Sequence, residues 1–131
     1  MAKSVTPFLM FDGKAEEAMN FYVALFPDGR VLDIARYGKE GPGPEGTVVR
    51  ASFVVGGQTI MCIDSPAKHA FTFTPASSLF VECESEDELR SFAGALDEDG
   101  KVLMPINNYG FSRLFTWVQD RFGVSWQLNL A

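Results

Sequence analysis

Two spacings of apolar residues alternate along the chain, and the order in which they occur repeats. Val5 to Phe11 is an apolar run of strand length, broken by Asp12-Gly13, a pair that can open a helix. Beyond it Ala15, Ala18, Met19, Tyr22 and Leu25/Phe26 fall on one face of a helical period, so this stretch predicts a helix, stopped by Pro27-Asp28-Gly29. Val31 to Tyr37 predicts a strand. Gly38 to Gly46 is rich in glycine and proline and predicts an irregular, mobile loop. Val48 to Val55 and Thr59 to Ile63 flank Gly56-Gly57 and predict a hairpin. Ser65 to Ala76 carries Pro66 and Pro75 and reads as a connector.

The order then starts again. Ser78 to Cys83 predicts a strand. Ser85-Glu86-Asp87-Glu88 has the form of a capping box, with Ser85 as N-cap and Glu88 reaching back. Leu89, Phe92, Ala93 and Leu96 supply the apolar face of a second helix, closed by Gly100. Lys101 to Ile106 is a strand, Asn107 to Gly110 a turn. Leu114 to Val118 and Val124 to Leu130 form a second hairpin around Asp120-Arg121-Phe122-Gly123.

The order β-α-β-β-β thus occurs twice, about 70 residues apart and with little residue identity. The expectation is one α+β domain, 1–131, made of two βαβββ modules, 5–64 and 77–131, joined by the connector 65–76. Each module must bury one face of its sheet. Two of them side by side would give a cupped mixed sheet with a pocket in its concave face.

Composition narrows the class. The chain has 131 residues, 47% of them apolar, which is enough for a core and argues against disorder. No apolar run reaches the ~18–20 residues that span a bilayer. Met1-Ala2-Lys3-Ser4-Val5 lacks the apolar stretch of a signal peptide. A cytoplasmic protein with no membrane partner is expected. The formal net charge is −6, with acidic clusters at 82–88 and 97–99 and no basic stripe to offset them, so no nucleic-acid partner is expected. Those clusters read as solvated helix ends. Cys62 and Cys83 sit in apolar strand surroundings and are expected reduced and buried. The only histidine, His69, falls in the connector, where nothing places it beside either thiol.

Certain phrases are more specific. Phe11-Asp12-Gly13 is followed by Glu16-Glu17-Ala18-Met19-Asn20-Phe21-Tyr22 and Leu25-Phe26-Pro27. Later come Gly56-Gly57-Gln58, Asp64, and the ending Asp120-Arg121-Phe122-Gly123-Val124-Ser125-Trp126-Gln127-Leu128. Together they resemble the PhnB-like branch of the vicinal-oxygen-chelate (glyoxalase/bleomycin resistance/dioxygenase) superfamily, whose domain carries the label 3-demethylubiquinone-9 3-methyltransferase. The resemblance covers nearly the whole chain and implies paired βαβββ modules, a homodimer and a cupped site. In the metal enzymes of that superfamily two His and two Glu or Gln hold a divalent ion, which acts as a Lewis acid on two adjacent substrate oxygens. Carried onto this sequence, those positions fall near Pro7, near Met61, at Ser78 and at Gln127. Only Gln127 is a plausible ligand, so no metal and no cofactor is expected. A methyl-donor site needs a glycine-rich strand-to-helix turn, by analogy with dinucleotide sites. Gly41-Pro42-Gly43 and Gly56-Gly57 open no helix.

The residues expected to bind a ligand are Gln58, Met61, Ser78, Phe80, Tyr109, Trp117 and Gln127. Strand alternation puts Ser78 and Phe80 on one face and Leu79, Val81 and Cys83 on the other, under the helix. Trp117, Trp126, Phe80, Phe111 and Tyr109 could line a wall for an aromatic or amphiphilic molecule, or pack the core. Gln58 and Gln127 are amides within apolar strands and must be hydrogen-bonded. Asp64 and Asp120 read as caps of turn amides rather than general bases. Glu82 is a pocket acid if it shares the face of Ser78, and a surface residue otherwise. The loop 107–113 could cover a pocket mouth, and its Arg113 could meet an anionic ligand or pair with the acidic surface. No catalytic residue is assigned. The first expectation is a protein that binds a small organic molecule without a standard metal site. The alternatives are a divalent-metal lyase, isomerase or dioxygenase, a methyltransferase as the label says, or a structural or regulatory dimer.

Overall fold

The computed structural model describes residues 1–131. Its elements are β1 (Phe8–Phe11), α1 (Ala15–Leu25), β2 (Arg30–Arg36), β3 (Val48–Val55), β4 (Gln58–Asp64), β5 (Ser78–Glu82), α2 (Glu86–Asp97), β6 (Lys101–Asn107), β7 (Leu114–Gln119) and β8 (Ser125–Leu130). This is the βαβββ order twice, as the apolar pattern predicts. The strands form two four-stranded mixed sheets, ordered β1-β4-β3-β2 and β5-β8-β7-β6. In each, the first strand returns to pair in parallel with the last, and the other pairings are antiparallel. The chain divides into two compact units, Met1–Ala70 and Phe71–Ala131, with the boundary inside the segment read as a connector.

In the first unit α1 packs on β2, β3 and β4. Its Ala15, Ala18, Met19 and Tyr22 are buried against Phe11, Ala51, Phe53, Ile60 and Cys62. Burying a side chain the size of Met19 or Phe53 contributes about 1.5–3 kcal/mol. The helix start differs from the sequence expectation. Lys14 occupies the N-cap position and makes no side-chain cap bond. The free amide of Ala15 is instead met by Asp64 Oδ1 at 2.9 Å, from the far end of β4, while Asp64 Oδ2 accepts from Val48 N at 2.9 Å. Asp12 stands exposed, 3.8 Å from the equally exposed Lys68.

Two glycine sites show why the turns read so clearly. Gly56 and Gly57 both have positive φ, 55° and 78°, as a tight hairpin requires. Asp28 reaches that hairpin from the turn after α1 and accepts from both amides at 2.8 Å. The segment expected as a mobile loop is tethered by Tyr37, which donates to Thr47 O and accepts from Gly46 N. Gly43 lies so close to the Tyr37 ring that a Cβ there would come within 2.7 Å of it.

In the second unit α2 packs on β7 and β8 through Leu89, Phe92, Ala93 and Leu96. Ser85 Oγ accepts from Glu88 N at 3.1 Å, as the capping box predicts. Glu88 reaches one residue further back than expected, to Glu84 N at 2.9 Å. At the other end Asp99, not Gly100, takes the left-handed conformation, at φ 58°. Gly100 is needed for room, since a Cβ would sit 2.3 Å from the Gln119 carbonyl oxygen.

Candidate functional site

Strand pairing sets one row of four residues across each sheet, on the face away from its helix. In the first unit the row is Asp33, Ser52, Met61 and Phe8. In the second it is Met104, Trp117, Gln127 and Phe80. The two rows are equivalent by register, so Met61 corresponds to Gln127 and Phe8 to Phe80. Alternation carried back from Phe8 gives Thr6, not Pro7, to the face of Met61. Pro7 contributes its carbonyl oxygen, which accepts from Met61 N at 2.9 Å. That moves the first carried-over ligand position by one residue.

The first-unit row is mostly apolar at its parallel pair. Its polar groups are taken up with each other, Ser52 Oγ donating to Asp33 Oδ2 at 2.7 Å. Gln58 lies exposed at the hairpin, two residues before the inward Ile60, and its side chain donates to the Thr59 carbonyl at 2.9 Å. The structure therefore does not bring Gln58 to the face of Met61.

The second-unit face is different. Trp117 Nε1 donates to Ser125 Oγ at 2.8 Å, and Ser125 Oγ and Ser78 Oγ share a hydrogen bond at 2.7 Å. Gln127 Nε2 donates to Ser78 Oγ at 3.3 Å. Four polar side chains from β5, β7 and β8 thus form one connected chain on one face. Four residues beyond Ser78 on β5, Glu82 Oε2 accepts from Asn129 Nδ2 at 3.0 Å, and Asn129 Oδ1 accepts from Ser112 Oγ. Glu82 shares the face of Ser78 and is exposed there.

An aromatic group lies beside these. Phe115 is buried and is approached edge-on by Phe111 at 5.0 Å and by Tyr109 at 6.1 Å. Tyr109 stacks on Phe111 at 6.3 Å, and Phe80 lies 6.5 Å from Phe115. Phe80 is 55% exposed and Phe111 63%. These are large apolar rings left facing solvent next to hydrogen-bonding groups, which is unusual enough to ask for a partner. The Tyr109 hydroxyl is already engaged, donating to Pro105 O at 2.6 Å. Trp126, by contrast, belongs to the core, and its Nε1 donates to Asp120 Oδ2 at 2.9 Å. Asp120 also accepts from Phe122 N and Val124 N through Oδ1, so it caps the β7–β8 turn.

The structure brings Ser78, Phe80, Trp117 and Gln127 onto one face, with Tyr109 folded over its edge. Ser125, Asn129, Ser112 and Phe115 join them and were not named from the sequence. The signal for Ser125 and Asn129 was present, because they flank Gln127 two residues to either side on one strand. Arg113 turns elsewhere, its Nε donating to the Ala131 carbonyl at 2.8 Å. His69 stays in the connector, 3.0 Å from Ser65 Oγ. Cys62 and Cys83 are buried free thiols.

A divalent ion of the kind used by metal enzymes of the superfamily that the sequence resembles does not fit these donors. The corresponding positions carry Thr6 or Pro7, Met61, Ser78 and Gln127, with neither imidazole nor carboxylate among them. Nowhere do three His, Cys, Asp or Glu side chains group so that they could hold a metal. The glycines of a methyl-donor turn are equally missing, since Gly56-Gly57 makes a hairpin and Gly41 and Gly43 lie in the loop before β3.

Comparison with known proteins follows the geometry. A PhnB protein from Bacillus cereus, bearing the label 3-demethylubiquinone-9 3-methyltransferase, is 54% identical, with a TM-score of 0.95 over 98% of this chain and 100% of that one. Protein PA1353 from Pseudomonas aeruginosa is 28% identical, with a TM-score of 0.84 over 98% of each chain. A glyoxylase/bleomycin resistance protein/dioxygenase domain from Frankia sp. is 14% identical, with a TM-score of 0.68 over 100% of this chain and 93% of its own, and shows the shared fold. No curated protein matches the chain. The family described as 3-demethylubiquinone-9 3-methyltransferase matches residues 3–129, and the chain belongs to that PhnB-like family.

Proposed function

We propose that the protein binds a small organic molecule on the helix-free face of its second sheet, without a divalent metal at the superfamily position. The observation that carries this reading is the pairing of a connected polar chain, Trp117–Ser125–Ser78–Gln127, with exposed rings at Phe80 and Phe111. Small-molecule sites combine apolar walls with a few fixed polar groups in this way. Met61 holds the equivalent position on the first sheet and is not part of this face. Two free, buried cysteines suit a reducing compartment, and we place the protein in the cytoplasm as part of the same proposal.

The test is a screen of small aromatic and amphiphilic compounds against gently purified protein whose metal content is measured by elemental mass spectrometry. The two indole N–H resonances serve as reporters, Trp117 at the face and Trp126 in the core. Expected are saturable binders that move the Trp117 signal alone and bind at least about tenfold more weakly, about 1.4 kcal/mol, to Ser78→Trp and Phe80→Ala. One metal per chain, with a raised melting temperature on adding manganese, iron, nickel or zinc, would overturn the metal-free reading. A screen in which nothing moves Trp117 would remove the binding site itself.

A further inference from the structure

We infer that the molecule bound at this face is an organic cation, an aromatic or amphiphilic amine or quaternary ammonium whose charge sits between Phe80 and Glu82. The inference rests on the binding reading above and adds the ligand's charge. Phe80 and Glu82 lie two residues apart on β5, about 6.6 Å along the strand, on the same face. A cation is attracted to an aromatic face within about 6 Å of its centroid, so one group can touch both the ring and the carboxylate.

The carboxylate is held in place. Asn129, only 8% exposed, donates to Glu82 Oε2 at 3.0 Å and is itself fixed by Ser112. Glu82 is otherwise exposed, and no protein donor is bonded to its Oε1. Phe80 touches Phe115 on one side and leaves more than half of its surface uncovered. More than half of that side chain is thus open to a ligand.

No basic residue of the second unit forms a salt bridge with Glu82. The second unit, 71–131, has nine acidic residues and four basic ones. Arg90 is paired with Glu86 along α2, and Arg113 donates to Ala131. Arg121 lies over the Phe122 ring at 5.0 Å in the β7–β8 turn. Lys101 sits on the edge strand opposite Gln119, in the row of Ser125 and Ser78 at the other end of the sheet. An anionic ligand with its charge at Phe80 would meet a Glu82 carboxylate that no ion pair neutralises, whereas a cation would meet complementary groups.

Three probes of similar size separate the possibilities: naphthylethylamine, naphthylethanol and naphthylacetate, titrated into the full chain at neutral pH with the Trp117 indole as reporter. The amine is expected to bind about tenfold tighter than the alcohol, since an exposed ring and an exposed carboxylate each add roughly three- to fivefold. The acetate should bind more weakly than the alcohol. Glu82→Gln, which keeps an acceptor for Asn129, should cut the amine's advantage to the roughly three- to fivefold that the ring supplies and leave the alcohol unchanged. Added salt should weaken the amine alone. If the alcohol or acetate binds as tightly as the amine, or if the full tenfold preference for the amine survives Glu82→Gln, the cation inference falls while the binding reading stands. If none of the three moves Trp117, both fall.

Discussion

Replacing Asp64 by alanine tests how the first unit holds together. Both carboxylate oxygens are buried and accept backbone amides at 2.9 Å, one from the first residue of α1 and one from the first residue of β3. Removing the carboxylate leaves two buried N–H groups without a partner. Each such loss costs about 1–3 kcal/mol, so the pair comes to about 3 kcal/mol, or roughly a 10 °C fall in melting temperature for a chain of this size. Asp64→Asn keeps the shape but offers one acceptor and one donor to two donors, and should cost about 2 kcal/mol. Asp12→Ala, at the exposed residue which the sequence nominates as the helix start, should cost less than about 0.5 kcal/mol. Urea denaturation followed by circular dichroism gives the three values. Amide exchange then localises them, because Ala15 and Val48 should lose protection together in Asp64→Ala. A loss below about 1 kcal/mol at Asp64, or an equal loss at Asp12, would refute the reasoning.

Two further perturbations follow from ionisable groups. Hydrogen bonds from Gly57 and Gly56 hold the Asp28 carboxyl below its usual 3.8, so the unfolded chain binds this proton more readily than the folded one. Its contribution is full above the ordinary carboxylate range and is lost as pH falls through the lower folded value. The melting difference between wild type and Asp28→Asn should therefore shrink toward acid pH, and a constant difference would contradict the assignment. Burial, with Asp64 nearby, pushes the Cys62 thiol up to about 12, and burial, with Glu88 and Glu82 nearby, pushes Cys83 up to about 11. Neither should react with a thiol-specific disulfide reagent at pH 8 until the protein unfolds; prompt labelling of the native protein would contradict this.

The elements were legible because their signals are local. The period of Ala15, Ala18, Met19 and Tyr22, the glycine pair at the hairpin and the capping box at Ser85 each lie within one or two turns of chain, and each element formed where its signal lay. The cap of α1 was not legible, because Asp64 is 49 residues from Ala15 and meets it only once β4 has paired with β1. Half of the candidate face was legible by alternation from Ser78 to Phe80. The rest depends on which strands are neighbours. Ser125 matters because β5 and β8 lie side by side in parallel, and Phe115 because loop residues 109–111 fold back onto β7. Gln58 shows the reverse error, since an amide in an apolar run looked poised for a ligand but lies at the turn and bonds its neighbour's carbonyl.

The repeated architecture sharpens the functional argument. Both sheets present equivalent rows on their helix-free faces, and both make the same parallel pairing of first and last strands. If binding followed from the fold alone, both faces would carry it. They do not carry the same chemistry. In the first unit the polar pair Asp33–Ser52 lies toward the edge strand, while the parallel pair offers Met61 and Phe8. In the second unit the parallel pair offers Gln127, Ser78 and Ser125, already wired to Trp117, with Glu82 and Phe80 alongside. One scaffold therefore carries two faces whose parallel strand pairs differ, apolar in the first unit and polar–aromatic in the second. The family label fits neither a metal-ligand set nor a methyl-donor turn in this chain. A reaction, if the protein performs one, has to be sought among groups that donate hydrogen bonds and stack, and those are concentrated on the second sheet.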